Sequence, residues 1–294
     1  LHPIPDVDRT KYFLMFGANP LASNGSMWTV PDVRRRLKAF MARGGKLVVV
    51  DPRRTETAAL ANEHIFIRPG TDAALLLSII HVLFRDKLVS LGRLRDFTDG
   101  LEEVDFIVRS FEPEWAAART GVSVTEIQRL ATEISGAESA VCYGRMGVST
   151  QEFGTLCQWA IQVINVLTGN LDKEGGSLFS LPAVDQIMNN SPGGFGRFFS
   201  RVKNLPEFDY ELPAVTILDE ILTPGEAQVR LLITGAGNPV LSTPNGKALD
   251  EALEDLDFMI SVDPALNETT RHADLIFPPT SPLEHDHYDL AFHN

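Results

Sequence analysis

Cysteine is almost absent from this sequence: 294 residues contain two, Cys142 and Cys157. Two thiols cannot by themselves hold a zinc or iron–sulfur centre, and they supply no disulfide framework of the kind small secreted scaffolds need. Long apolar runs are missing as well. Stretches such as Leu47 to Val50 and Ala73 to Leu77 fall far short of the roughly 20 residues a membrane-spanning helix requires, so no membrane span is expected. Positive charge is in deficit, with 26 Lys and Arg against 39 Asp and Glu and a net charge of −13. That balance argues against a nucleic-acid partner or an anionic membrane surface. No G-x-S-x-G elbow and no hydrolytic triad are legible. The dinucleotide fingerprint G-x-G-x-x-G is also missing, because Gly235-x-Gly237 is followed by Val240 where the third glycine belongs. An ordinary nicotinamide dehydrogenase is therefore disfavoured. Finally, there is no starting Met and no leader pattern, and the sequence closes at Asn294 without a terminal element. It reads as a piece of something longer.

What is present is globular, with 44% hydrophobic and 22% charged residues. The length suits two domains, expected over residues 1–178 and 179–294. Strand and helix signals alternate, the mark of α/β layers. Tyr12 to Phe16 reads as a strand broken by Gly17, and a helical face of Val33, Leu37, Phe40 and Met41 follows Pro31 and stops at Gly44-Gly45. Lys46 to Val50 and Ala140 to Tyr143 read as buried strands of a parallel sheet. Asp72 to Phe84 is a strongly apolar helix with Thr71 as its expected N-cap, and Ser123 with Glu126 forms a capping box for the next helix. Glu152 to Leu167 is another helix. Between Gly175 and Leu212 the pattern dissolves into Gly, Pro, Asn, Ser and Phe, which predicts a domain junction with a long loop. Beyond it, Val229 to Ile233 and Phe258 to Val262 read as strands and Lys247 to Leu253 as a helix.

Two signals recur in the same order. FLMFGANPLAS from Phe13 returns as LLITGAGNPVLS from Leu231, and VVVDPRRTETAALA from Val48 returns as MISVDPALNETTRHA from Met259. Asp263 follows Asp51 by 212 positions and Asn238 follows Asn19 by 219. So long a period points to two related domains rather than to a solenoid. The expected fold is thus α/β, two doubly wound, mostly parallel-sheet nucleotide-binding domains related by an internal repeat. Glycine turns at strand ends offer backbone N–H groups to an anion, and a following helix adds its dipole. Asp51 and Asp263 end the next strands, where a carboxylate can accept from ribose hydroxyls or a base edge.

In order along the chain, FGANP, VVVDPRRTETA, RPGTDAAL, YGRMGVSTQ, LTGNLDKEGG, GAGNP, SVDP, ADLIFPPTS and LEHDHY give a close resemblance to the central region of the molybdopterin oxidoreductases. These are the bis-(molybdopterin guanine dinucleotide) enzymes that include formate dehydrogenases, nitrate reductases and dimethyl sulfoxide reductase. The resemblance implies two molybdopterin guanine dinucleotides, molybdenum or tungsten, and two-electron redox or oxo-transfer chemistry. For the first cofactor it implies Gly17, Ala18, Asn19, Pro20, Asp51, Pro52, Arg53, Gly70 and Asp72, with Met146 and Gln151 on the pterin side. Ser149 and Thr150 lengthen that last loop by one residue relative to the family pattern. For the second cofactor it implies Asn238, Pro239, Val262, Asp263 and His285. Glu284, His285, Asp286 and His287 are consecutive; in an extended segment neighbouring side chains point apart, so no metal site is expected there. The metal ligand and an iron–sulfur cluster would belong to the missing N-terminal part of the parent chain, and a covering domain to the missing C-terminal part. These, with an electron-transfer subunit or carrier, are the expected partners, and the piece alone is expected to turn over no substrate. The alternative is a metal-free electron-transfer subunit of the same fold, of the NADH–quinone oxidoreductase large iron–sulfur subunit type.

Overall fold

A computed structural model describes residues 3–25, 28, 30–179 and 194–286. They form two compact units, one ending at residue 179 and the other running over 194–286.

The first unit opens with β1 (Pro3–Pro5) and the central strand β2 (Tyr12–Phe16), every residue of which is buried. A turn and α1 (Pro20–Ser23) lead to α2 (Val33–Ala42), β3 (Lys46–Val50), α3 (Glu56–Leu60) and β4 (Glu63–Ile65). Four helices follow, α4 (Asp72–Arg85), α5 (Leu101–Val108), α6 (Pro113–Thr120) and α7 (Val124–Gly136). The chain then returns as β5 (Ala140–Gly144), α8 (Met146–Ser149), α9 (Gly154–Leu167) and β6 (Ser177–Phe179), which pairs antiparallel with β1. The main sheet has the order β4-β3-β2-β5 with all neighbours parallel.

Each strand face is claimed by its own helix layer, as the unbroken apolar runs require. On one side Tyr12, Leu14 and Phe16 pack with Leu76, Ile80, Ile134 and Ile161 from α4, α7 and α9. On the other, Phe13, Met15 and Val49 pack with Leu37 and Phe40 of α2 and with Trp28. Helix α4 is apolar all round and is buried almost throughout, so it forms the middle of its layer. Asn165 of α9 both donates to and accepts from the backbone of Cys142 at 2.9 Å. That carboxamide occupies the free edge of β5 in place of a further strand.

The capping box on α7 forms as the sequence predicts. Thr71 does not cap α4: its hydroxyl donates 2.7 Å back to the Arg68 carbonyl. The long loop expected from Gly175 to Leu212 needs a larger correction. Its described part contains β6 and an antiparallel hairpin of β7 (Phe195–Phe199) and β8 (Pro206–Phe208), while residues 180–193 lie outside the described residues. The hairpin is held by Glu207, which is fully buried and accepts from the Arg197 backbone at 2.7 Å and its Nε at 2.8 Å.

In the second unit α10 (Ile217–Leu222) precedes β9 (Leu231–Gly235), α11 (Pro239–Ser242), α12 (Gly246–Ala252), β10 (Phe258–Val262) and β11 (Leu275–Phe277). The three strands are parallel in the order β11-β10-β9. Ile221, Leu249, Leu253 and Met259 form a small core on one face, whereas Leu231, Ile233 and Phe277 remain exposed. Among the described residues no helix is long and apolar enough to cross a membrane.

Candidate functional site

In the first sheet the chain winds one way from β2 through β3 to β4, then returns to place β5 on the other side of β2. Ligands bind α/β sheets at the carboxyl ends of strands where the winding reverses. Here that point is a cleft of about 320 Å³, whose lining includes Gly17, Asn19, Asp51, Arg53, Arg145 and Met146.

Two backbones meet there. Gly17 has φ +50°, donates its N–H to the Val50 carbonyl at 3.0 Å and accepts from Gly147 N at 2.9 Å. A Cβ on Gly17 would lie 2.8 Å from the Gly147 backbone, and one on Gly147 would lie 2.7 Å from the Gly17 Cα. Both positions therefore require glycine. The next two amides, of Ala18 and Asn19, have no acceptor among the described residues.

The Asn19 carboxamide does not reach into the cleft as a spare ligand group. Its Nδ2 donates to Glu56 at 2.7 Å and its Oδ1 accepts from the Thr57 hydroxyl at 2.8 Å. The same hydroxyl accepts from Leu21 N at 3.2 Å, so the turn is clasped to α3. Pro20 opens α1, but α1 has only four residues, and the expected dipole contribution is correspondingly small. Asp51 is 9% exposed, and one of its oxygens accepts from Arg53 N at 2.8 Å across Pro52. The Arg53 guanidinium is exposed, with no carboxylate in ion-pair reach among the described residues.

Gly70, Asp72 and Gln151 sit apart from the cleft lining. Asp72 is 2% exposed and accepts from Gln151 Nε2 at 2.7 Å; the same Nε2 donates to the Gly147 carbonyl at 2.6 Å. Burial pushes the Asp72 carboxyl above the usual range, and the Gln151 hydrogen bond opposes this. Gly70 instead lines an apolar groove of about 470 Å³ with Phe111, Trp115 and Phe153. Met146, 58% exposed, faces outward next to Arg145.

In the second unit a similar hydrogen-bond pattern surrounds Asn238. Asn238 donates to Glu268 at 2.8 Å and accepts from the Thr269 hydroxyl at 2.7 Å, which in turn accepts from Val240 N at 3.1 Å. Pro239 opens another four-residue helix, α11. Asp263 accepts from Ala265 N at 2.8 Å, as Asp51 does from Arg53 N. The sequence aligns Gly235 with Gly17, but the left-handed residue is Ala236, with φ +52° and its N–H 2.9 Å from the Val262 carbonyl. Gly235 is instead the last residue of β9, pairing with Val262 as Phe16 pairs with Val50. His285 is exposed and closes a turn, its Nδ1 3.1 Å from both Ser281 O and Thr280 Oγ1. His287 lies outside the described residues. Among the described residues no three His, Cys, Asp or Glu side chains converge as a metal site. Both thiols are buried, which raises Cys142 and lifts Cys157 to about 11.

Sequence reasoning missed Arg145, Gly147 and the Glu56–Thr57 half of the clasp. The last carried a readable signal, because Glu-Thr recurs at Glu268-Thr269 inside the repeat.

The molybdopterin oxidoreductase family profile matches residues 2–291. The chain is 27% identical over 294 aligned residues to the F420-dependent formate dehydrogenase subunit alpha of Methanocaldococcus jannaschii, covering 96% of this chain and 43% of that protein. To formate dehydrogenase H of Escherichia coli it is 29% identical over 298 residues, covering 96% and 41%. Among solved structures, acetylene hydratase from Pelobacter acetylenicus superimposes with a TM-score of 0.76 at 20% identity, over 94% of this chain and 42% of that one. At that identity the likeness speaks for the fold. The chain spans about two fifths of the length of the curated relatives it matches. It belongs to the molybdopterin oxidoreductase family.

Proposed function

We propose that this chain holds the guanosine ends of two molybdopterin guanine dinucleotides within a larger molybdenum or tungsten oxidoreductase. The observation that carries the reading is the duplicated clasp: the same Asn, Glu and Thr groups fix a strand-end turn in both units, to within about 0.1 Å. Residues 1–178 and 179–294 are then two cofactor-binding domains derived from one ancestral unit. The remainder of the protein would supply the metal ligand, any iron–sulfur cluster and the cover over the pterins.

The first site fits such a ligand. The unengaged Ala18 and Asn19 amides suit an anionic oxygen, and the Gly17–Gly147 contact leaves no side chain between strand end and ligand. Arg53 supplies a planar cation for a phosphate. Asp51 keeps one oxygen for a ribose or base donor while the other holds its own turn. Asp263 does the same in the second unit, beside Asn238, Pro239 and Val262. When bound, the pterin-held metal supplies two-electron redox or oxo-transfer chemistry. The contribution of these residues is to bind and orient. Retention of both turns and both strand-end aspartates favours this reading over a metal-free electron-transfer subunit.

Pterin, guanine and metal analysis of the full-length protein tests the proposal. Guanine with molybdenum or tungsten supports it, and a preparation with none of the three rejects it.

A further inference from the structure

We infer that one face of the second unit's sheet is a helix-packing surface, covered by a helical layer from the same polypeptide beyond residue 294. This rests on the two-domain half of the proposal above and not on the cofactor.

Strand register fixes which side chains share that face. Leu231 pairs with Phe258, Ile260 with Ile233 and Leu275, and Val262 with Gly235 and Phe277. Partners directly opposite each other lie on the same side of a sheet. Apart from Gly235, every residue on this side is therefore apolar. Leu231, Ile233, Phe258, Val262, Leu275 and Phe277 are all exposed. The other side is already filled. Met259 is buried there with Leu249 and Leu253, and the buried Thr234 and Ser261 hydroxyls meet at 2.8 Å. All-parallel sheets are covered on both faces, so the exposed side calls for a second layer.

The first unit shows what covers this side. There Phe16 pairs with Val50 as Gly235 pairs with Val262, so Ile233 corresponds to Leu14 and Phe277 to Ile65. Leu14 and Ile65 are 0% and 4% exposed and belong to one cluster with Leu76 of α4, Ile134 of α7 and Ile161 of α9. Ile233 and Phe277 are 61% and 54% exposed. The three covering helices all follow β4 in the chain. After β11, the counterpart of β4, residues 278–286 contain no helix. Among the described residues β9 also stands at a sheet edge, whereas its counterpart β2 is flanked by β5. The elements that follow the third strand in the first unit are thus the ones that would complete the second. The curated relatives run to more than twice the length matched here, which leaves polypeptide for that layer. A second copy fits less well. It would set two parallel sheets face to face with no helix between them, and bring together two chains of net charge −13.

The test uses the full-length protein with the photo-crosslinking residue p-benzoylphenylalanine in place of Phe277. Irradiation should join position 277 to a peptide of the same polypeptide beyond residue 294, without change in the mass of the protomer. A crosslink to a second copy, to another protein or to lipid would overturn the inference, and so would no crosslink at all. Thiol labelling of Phe277→Cys, read at that position by mass spectrometry, gives an independent measure with a smaller side chain. Labelling of the folded protein should be about a hundredfold or more slower than in urea, the protection of a packed layer that opens only transiently. Equal rates would overturn the inference. The guanine content of the same preparation separates it from the cofactor reading. A protected face without guanine upholds the layer and rejects the cofactor, and bound guanine with an unprotected face does the reverse.

Discussion

The Thr57 hydroxyl donates to Asn19 Oδ1 at 2.8 Å, and 212 positions further on Thr269 donates to Asn238 Oδ1 at 2.7 Å. In both units this bond ties a strand-end turn to the segment after the next strand, so the turn cannot shift independently of the aspartate end.

Removing the clasp should cost stability and ligand retention together. Asn19→Ala and Thr57→Val are each expected to lose about 0.5–1.5 kcal/mol. The double variant should lose less than the sum, because the two share one interaction. Urea unfolding of the four proteins measures the coupling. Strict additivity would show that the bond does not hold the turn.

The two turns should respond oppositely to a methyl group. Gly17→Ala drives a Cβ to 2.8 Å from the Gly147 backbone at a left-handed φ, and should be strongly destabilising. Ala236→Gly relieves a residue already held at φ +52° and should stabilise by up to ~1 kcal/mol. Thermal melts of both variants check the signs.

Asp72 gives a pH signature. Its folded pKa is raised, chiefly by burial, so the native state holds the proton more tightly than the unfolded chain. Stability from this group is full below the ordinary carboxyl range and is lost as pH rises through the raised value. Asp72→Asn should therefore be more stable than wild type at pH 7, with the gain vanishing toward pH 4. A gain independent of pH would assign the effect to something other than ionisation.

Much of this was legible in the residues. Tyr12–Phe16 and Leu47–Val50 are short, wholly apolar runs ended by Gly17 and Asp51, and the recurring Asn-Pro signal marks both turns. Other features depend on tertiary context. Gly235, Ala236 and Gly237 all tolerate a tight turn, and only the pairing of Gly235 with Val262 makes Ala236 the left-handed residue. The β7–β8 hairpin is Phe-rich and interrupted by glycine, with a register shift, so it lacks the alternation that marks a strand.

Asp51→Ala and Asp263→Ala should each lower cofactor retention, since a hydrogen bond to a charged acceptor contributes ~1.5–3 kcal/mol. Folding stability is the control, because each carboxylate also holds its own turn. Unchanged guanine content in both variants would reject the ribose or base assignment.

The most direct measurement is the guanine and metal content of the full-length protein purified from its own source. The account predicts about two guanosine nucleotides released on hydrolysis per polypeptide, with molybdenum or tungsten present. One guanosine would contradict the duplicated site, and none would contradict the cofactor reading altogether.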